Sequence, residues 1–428
     1  MSEGHSRAPV LLTMADYYGT LAAVRSLGRA GIGVSVAESR LLVPARWSRH
    51  VRQVHACPDP EAAPSAFAAW LVDLGRRSPG QVLLPTSDGI AWILAVHREA
   101  LAPHFVVDSP PPETVYALLN KWRLQELCRS VGLETPWTAL PADDAELEAL
   151  AREIRYPVMV KPQTQVGLWP HQKGRVVEDG RTLVALYGDL QRATRVQPEL
   201  LALDPLAARP LLQAFSTSAA DGIYTVSGFS DARHDVFLAQ ASRKILQRPR
   251  RLGVGLCFEE ADLDPSVAGG IERLCRKLGY RGVFEVEFVQ EGGRHLLIDF
   301  NPRFFGEMAF DVDRGLDLPM LAYLAAVGDR SGLEAVLPEA RRAVASRGDR
   351  VFCSGVQMST QFLVQLLAGG GRPDERAHWR GWLRAHRGRV THPSLDRSDP
   401  VPWLVDAARE VTAMLAHPRA AWRAARRG

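Results

Sequence analysis

The stretch Gly282–Asp311, GVFEVEFVQEGGRHLLIDFNPRFFGEMAFD, constrains the chain more than any other. Two apolar runs flank Glu291-Gly292-Gly293-Arg294, the pattern of a β-hairpin closed by a tight turn. Alternation puts Val283, Glu285 and Glu287 on one side of the first strand, and Phe284, Val286 and Phe288 on the other. In the second strand Leu297, Asp299 and Asn301 are expected to share a side. Glu287 and Asp299 then stand opposite each other if the turn is centred on Gly293, which requires an odd number of loop residues. Two carboxylates and an amide oxygen on one face repel unless a cation lies among them. With no His or Cys nearby, hard oxygen donors favour Mg²⁺. Arg303, two residues beyond Asn301, can project from the same edge toward phosphoryl oxygens. The same residues also suit a plain hairpin with one solvated acidic face.

A chain of 428 residues, 46% apolar, can bury a large core spread over two to four domains. Its formal charge of +4 is small for that length, which argues against nucleic acid as a partner. Five scattered cysteines, none spaced C-x-x-C, imply a reducing, cytoplasmic setting without a disulfide frame or zinc site. No signal-like start and no apolar run of about 20 residues is present, so no membrane association is expected.

Residues 9–14 read as a buried strand, followed by the loop 15–19 and a helix with Leu21, Val24 and Leu27 turned inward. The strand 33–38 completes a βαβ unit. Its first loop has one glycine and no G-x-G-x-x-G, so it offers no dinucleotide cradle. The strand 82–88 ends in Asp88. Asp16 and Asp88 thus lie where open α/β sheets bind ligands, and both positions also suit helix caps. A boundary is expected at Pro110–Pro112, with one helix from about 113 to 131 carrying Asn120-Lys121 in its middle. Later strands are PVMVKP (157–162), LLQAF (211–215) and the pair 223–229 and 236–241. The run 242–255 holds five cations, two glycines and a proline. It reads either as a solvated loop or as a mobile basic lid over polyphosphate.

Asn120-Lys121, PVMVKP, Lys173, LLQAF, FEVEF and IDFNPR, in that order, resemble the ATP-grasp superfamily, which includes biotin carboxylase, carbamoyl-phosphate synthetase and D-alanine–D-alanine ligase. RKILQRPRRLGVG and the Asp16-Tyr-Tyr-Gly19 opening look closest to D-aspartate ligase-like carboxylate–amine ligases. The resemblance covers about residues 8–330 and implies an α/β architecture. A Rossmann-like parallel-sheet domain (1–112) is followed by a two-lobed ATP-grasp domain (113–330, small lobe about 137–212) and a mainly helical extension (331–428). It implies that Lys121 and Lys161, with Lys173, bind ATP phosphates. Gln213, Ala214, Phe215 and Ser216 pair with adenine through their backbone, and Asp221 meets the ribose. Glu287, Asp299 and Asn301 hold Mg²⁺, with Mn²⁺ as an alternative. Arg303, Lys244 and Arg243 surround the transferred phosphoryl group. Departures are Ala214 where relatives carry Glu, Asn120 where they carry Asp, and Leu246 in place of a cation. The implied activity is ATP-dependent joining of a small carboxylate to an amine. Bicarbonate- or carbamate-type acceptors and a non-catalytic nucleotide sensor are the alternatives, and a homodimer is the default assembly.

Overall fold

The computed structural model describes residues 7–169, 174–216, 222–248, 253–367 and 373–416. The N-terminal strands β1 (Val10–Leu12), β2 (Val34–Ala37), β3 (Val51–His55), β4 (Gln81–Leu83) and β5 (Phe105–Val107) form a parallel sheet in the order β3-β2-β1-β4-β5. Residues of β1, β2 and β4 are buried along their whole length, which is why these strands read as unbroken or nearly unbroken apolar runs rather than alternating ones. The sheet order reverses at β1 and β4, so the loops after these two strands flank a ready crevice.

The expected single helix at 113–131 is two helices, Pro112–Leu119 and Lys121–Val131. Asn120 breaks them apart because its side chain accepts from the Trp122 and Arg123 amides as an N-cap. The break also lets the Lys121 amide donate to the Gln163 carbonyl, tying the second helix to the small lobe.

That lobe contributes β6 (Thr138–Ala139), β7 (Val158–Lys161), β8 (Leu168–Trp169), β9 (Arg175–Val177), β10 (Arg195–Val196) and β11 (Leu211–Ala214). Four of them form the sheet β6-β11-β7-β9, and β8 pairs with β10 in a separate ribbon.

The largest sheet has the order β16-β15-β12-β13-β14-β17-β18. It comprises β12 (Ile223–Asp231), β13 (Val236–Arg248), β14 (Val254–Ala261), β15 (Arg281–Glu291), β16 (Arg294–Asn301), β17 (Val351–Cys353) and β18 (Val390–Thr391). Two findings differ from expectation. Most of the basic run 242–255 is strand: β13 continues through Arg248, and Arg248 pairs with Val254. The region after 330 supplies two strands to this sheet besides its helices, so it is not a purely helical appendage.

One face of the sheet packs Tyr224, Val226, Phe284, Val286 and Phe288 against the helices Lys121–Val131 and Pro265–Leu278. The other face changes character along the strands. At one end Phe229, Leu238 and Val283 join the apolar cluster that includes the helix Leu318–Val327 and residues of β1, β2 and β4. Two and four residues further along lie Ser227 and Thr225, Gln240 and Ser242, Glu285 and Glu287. The polar end of that face is where charged groups gather.

The loop after β16 is fastened to the N-terminal sheet. The Phe304 amide donates to the Pro85 carbonyl at 3.0 Å, and Gly19 lies so close that a Cβ there would sit 2.4 Å from the Phe305 carbonyl oxygen. A Gly19→Ala variant is therefore expected to lose about 1–3 kcal/mol of stability from overpacking against backbone, read as a lower urea midpoint.

Candidate active site

The hairpin β15–β16 turns on Gly292 and Gly293, whose φ values of 56° and 77° are those of a two-residue type I′ turn. An even loop alone would put Glu287 out of line with Asp299. The expected odd loop is absent. Instead the ladder shifts by one residue between Phe288, paired with Leu297, and Glu287, paired with Asp299. The extra residue, Ile298, is a bulge. It also reverses the facing of the residues after it: Leu297 and Phe300 both lie in the apolar core, while Asp299 and Asn301 turn to the polar face. Leu297 therefore does not share a side with Asp299, contrary to strict alternation. Glu285 stands opposite Asn301 and accepts a short hydrogen bond from its amide nitrogen.

Three cations meet these groups, and a further lysine lies near them. Lys121 Nζ donates to Asp299 Oδ1 at 3.0 Å, Lys244 Nζ pairs with Glu287 Oε1, and Arg303 donates to Asn301 Oδ1 at 2.8 Å and to Asp88 Oδ1 at 2.8 Å. Lys161, at the end of β7, donates to Gln213 Oε1 at 2.7 Å, and Gln213 donates in turn to Thr138 Oγ1. Burial opposes charge on Lys121 and Asp299, and their pairing outweighs it: the ammonium is held above its ordinary range and the carboxyl below. Among the described residues Lys161 has no carboxylate in hydrogen-bond contact. Burial, and then the nearby Lys121 charge, push it down to about 7.

Two carboxyls that the strand pattern does not mark out belong here. Glu285 is pushed well above the usual carboxylate range by burial, then by the negative charges of Glu307 and Glu287. Glu307, buried beside Lys244 and Glu287, is pushed up to about 7, mainly by burial, with Lys244 opposing. Glu285 is visible in the alternation, on the same side as Glu287, but alternation alone does not separate it from a solvated acid. Glu307 has no signal in the strand pattern, because it lies six residues beyond β16 and is brought in by the pinned loop.

Other expected residues fall elsewhere. Arg243, adjacent to Lys244, necessarily points to the opposite face of β13, where it is half exposed and 3.6 Å from Glu259. It does not join the site. Asp88 does: Ser87, not Asp88, caps the helix Asp88–Val96, which leaves the Asp88 carboxylate for Arg303. Asp16 is paired with Arg40, which also binds Glu38. The Ala214 amide donates to the Trp137 carbonyl at 2.8 Å and the Phe215 amide to Pro157 at 3.3 Å, so neither is left for a purine edge. Ser216 follows directly after them. Lys173 and Asp221 lie outside the described residues.

Among the described residues no group of three or more His, Cys, Asp or Glu side chains is gathered as a metal cluster. Glu287 and Asp299 each face a lysine instead. Their all-oxygen chemistry and cross-strand pairing nevertheless fit a hard divalent cation, with Asn301 two positions along the same face. All five cysteines are free, and no described helix is long and apolar enough to cross a membrane.

The low value of Lys161 has a testable consequence. Folded Lys161 is neutral above about pH 7, whereas the unfolded side chain keeps its proton up to about 10.5. In that window the unfolded state binds more protons, so this residue makes stability rise with pH. Lys161→Met is expected to flatten the rise in urea midpoint between pH 7 and pH 9. Parallel profiles for the two proteins would mean Lys161 stays charged.

No family model matches the chain. The carbamoyl phosphate synthase large chain of Deinococcus deserti is 23% identical over 266 residues, covering 62% of this chain. The chain spans only 23% of that relative's length. Among solved structures, the biotin carboxylase domain of the Hydrogenobacter thermophilus 2-oxoglutarate carboxylase superposes with a TM-score of 0.60 at 17% identity, over 76% of this chain and 71% of that one. The L-amino acid ligase of Bacillus licheniformis superposes with a TM-score of 0.55 at 15% identity, over 76% and 77%. At such identities the likeness is one of fold, and the fold this chain shares with those proteins is the ATP-grasp fold.

Proposed function

We propose that the chain is an ATP- and Mg²⁺-dependent ligase that activates a small carboxylate as an acyl phosphate and joins it to an amine. The observation that carries this reading is the meeting of Lys121, Lys244 and Arg303 with Glu287, Asp299 and Asn301 at the polar end of one sheet face, with Lys161 near enough to feel the charges of Lys121 and Asp299. A carboxylate resists attack because oxide would have to leave. Phosphorylation replaces oxide by phosphate, so what the protein must supply is alignment and charge neutralisation.

Glu287, Asp299 and Asn301 would hold Mg²⁺, which when bound neutralises charge on the β- and γ-phosphoryl oxygens. Lys121, on the second helix of the broken pair, and Lys161, in the small lobe, would hold the phosphates. Arg303, held in orientation by Asp88 and Asn301, offers its guanidinium to the carboxylate and to the acyl phosphate. Lys244 balances the charge of Glu287 and Glu307. The attacking amine must lose a proton, and Glu307 Oε, a buried carboxylate that titrates near neutrality, is suited to take it.

Bicarbonate as the activated carboxylate is the second reading. It is favoured by the likeness to a biotin carboxylase domain whose structure holds bicarbonate. Phosphate release from MgATP across pooled carboxylates and amines, with and without bicarbonate, separates the readings, and hydroxylamine traps an acyl phosphate as its hydroxamate. Release is expected only when a carboxylate is present. The Glu287→Gln, Asp299→Asn double variant is expected to lose at least about 100-fold in kcat. Nucleotide binding with no phosphate release from any pool would leave a sensor rather than an enzyme.

A further inference from the structure

A cleft of about 480 Å³ lies between the C-terminal ends of β1 and β4 and the β8–β10 ribbon, with Tyr17, Asp88, Trp92, Trp169 and Arg303 in its walls. That volume suits one small molecule. Its wall combines two chemistries. Arg303 and Asp88 form their ion pair beside Ser87. Trp92, one helical turn beyond Asp88, packs with Val166 and Leu168 in a buried apolar cluster that joins the small lobe to the helix Asp88–Val96. Next in the chain is Trp169, which also lines the cleft and yet is 64% exposed.

An exposed indole on a convex surface needs no explanation. One in the wall of a concave site offers a face on which an apolar group can be taken out of water. Among the described residues the only other cation in this wall is Arg195, opposite Trp169 in the ribbon. It is exposed, and a solvated guanidinium gives a side-chain carboxylate little.

We propose that the carboxylate held in this cleft carries an apolar tail, aromatic or branched aliphatic, with its carboxylate toward Arg303 and its tail against Trp92 and Trp169. The inference rests on the ligase reading for what happens to the carboxylate, though not for its binding.

Calorimetric titration of the full chain in MgADP, with phenylalanine and aspartate as probes in both enantiomers, tests it directly. Phenylalanine is expected to bind at least tenfold more tightly than aspartate. Trp169→Ala should weaken phenylalanine binding at least fivefold while MgADP affinity stays within twofold. Trp47→Ala, an exposed indole outside the cleft, is the control and should change neither. Equal or tighter binding of aspartate, no binding of phenylalanine, or full retention of phenylalanine binding by Trp169→Ala overturns the proposal. Phenylalanine binding of the expected strength, with no phosphate release alongside any amine, would sink the ligase reading and leave this one standing.

Discussion

The structure depends on keeping opposite charges together where water is largely excluded. Glu285, Glu287, Asp299 and Glu307 lie within one patch, and their mutual repulsion at low dielectric would be severe without Lys121, Lys244 and Arg303 against them. Such pairs contribute little net stability once desolvation is counted. What they provide is a set of charges already aimed at the place where phosphoryl charge moves, with little left to reorganise during reaction. The one-residue bulge at Ile298 makes the arrangement work, since it aligns Glu287 with Asp299 and sends Leu297 into the core.

Three parts of the chain converge on this patch and restrain each other. The loop after β16 is held by Pro85, Gly19 and Asp88 of the N-terminal part. The second helix of the broken pair brings Lys121 from one side, and β7 of the small lobe brings Lys161 from another. The C-terminal region clamps the assembly from outside: Arg25 binds Asp399, Tyr18 donates to Asp406, and Arg248, at the end of the strand that carries Lys244, pairs with Glu410. That clamp accounts for Leu246, one of the departures from the pattern the resemblance implies. It is buried with Cys257, Cys353, Met358, Trp379 and Trp382, in the contact between β14, β17 and the C-terminal helices.

Protonation states within the patch are set apart by surroundings rather than by residue type. Lys121 is partly buried and Lys161 buried, yet the first keeps its charge through Asp299 while the second falls toward neutrality for want of a carboxylate partner among the described residues. Asp299 and Glu307 divide in the same way. A carboxyl that titrates near neutrality is what proton removal from an amine requires, whereas Lys161 needs its proton to hold a phosphate, and a phosphate's negative charge beside it would favour that protonated form.

Much of this is legible in the amino-acid order alone. Unbroken apolar runs announce the parallel strands, and alternation around two glycines announces the hairpin and its acidic face. The resemblance to the ATP-grasp pattern rests on the whole ordered set, Asn120-Lys121, PVMVKP, Lys173, LLQAF, FEVEF and IDFNPR, and on no one of these motifs alone. These features are local, since a period of two and a glycine turn are written in adjacent residues. Tertiary structure alone decided the rest. The bulge at Ile298 is a property of two strands pairing, and Arg243 and Lys244 were set on opposite faces once pairing with β12 and β14 made their run a strand rather than a loop. Glu307 entered the site because distant loops hold its own loop in place. Burial then set how readily each of these groups carries charge, and burial depends on neighbours far away in the chain.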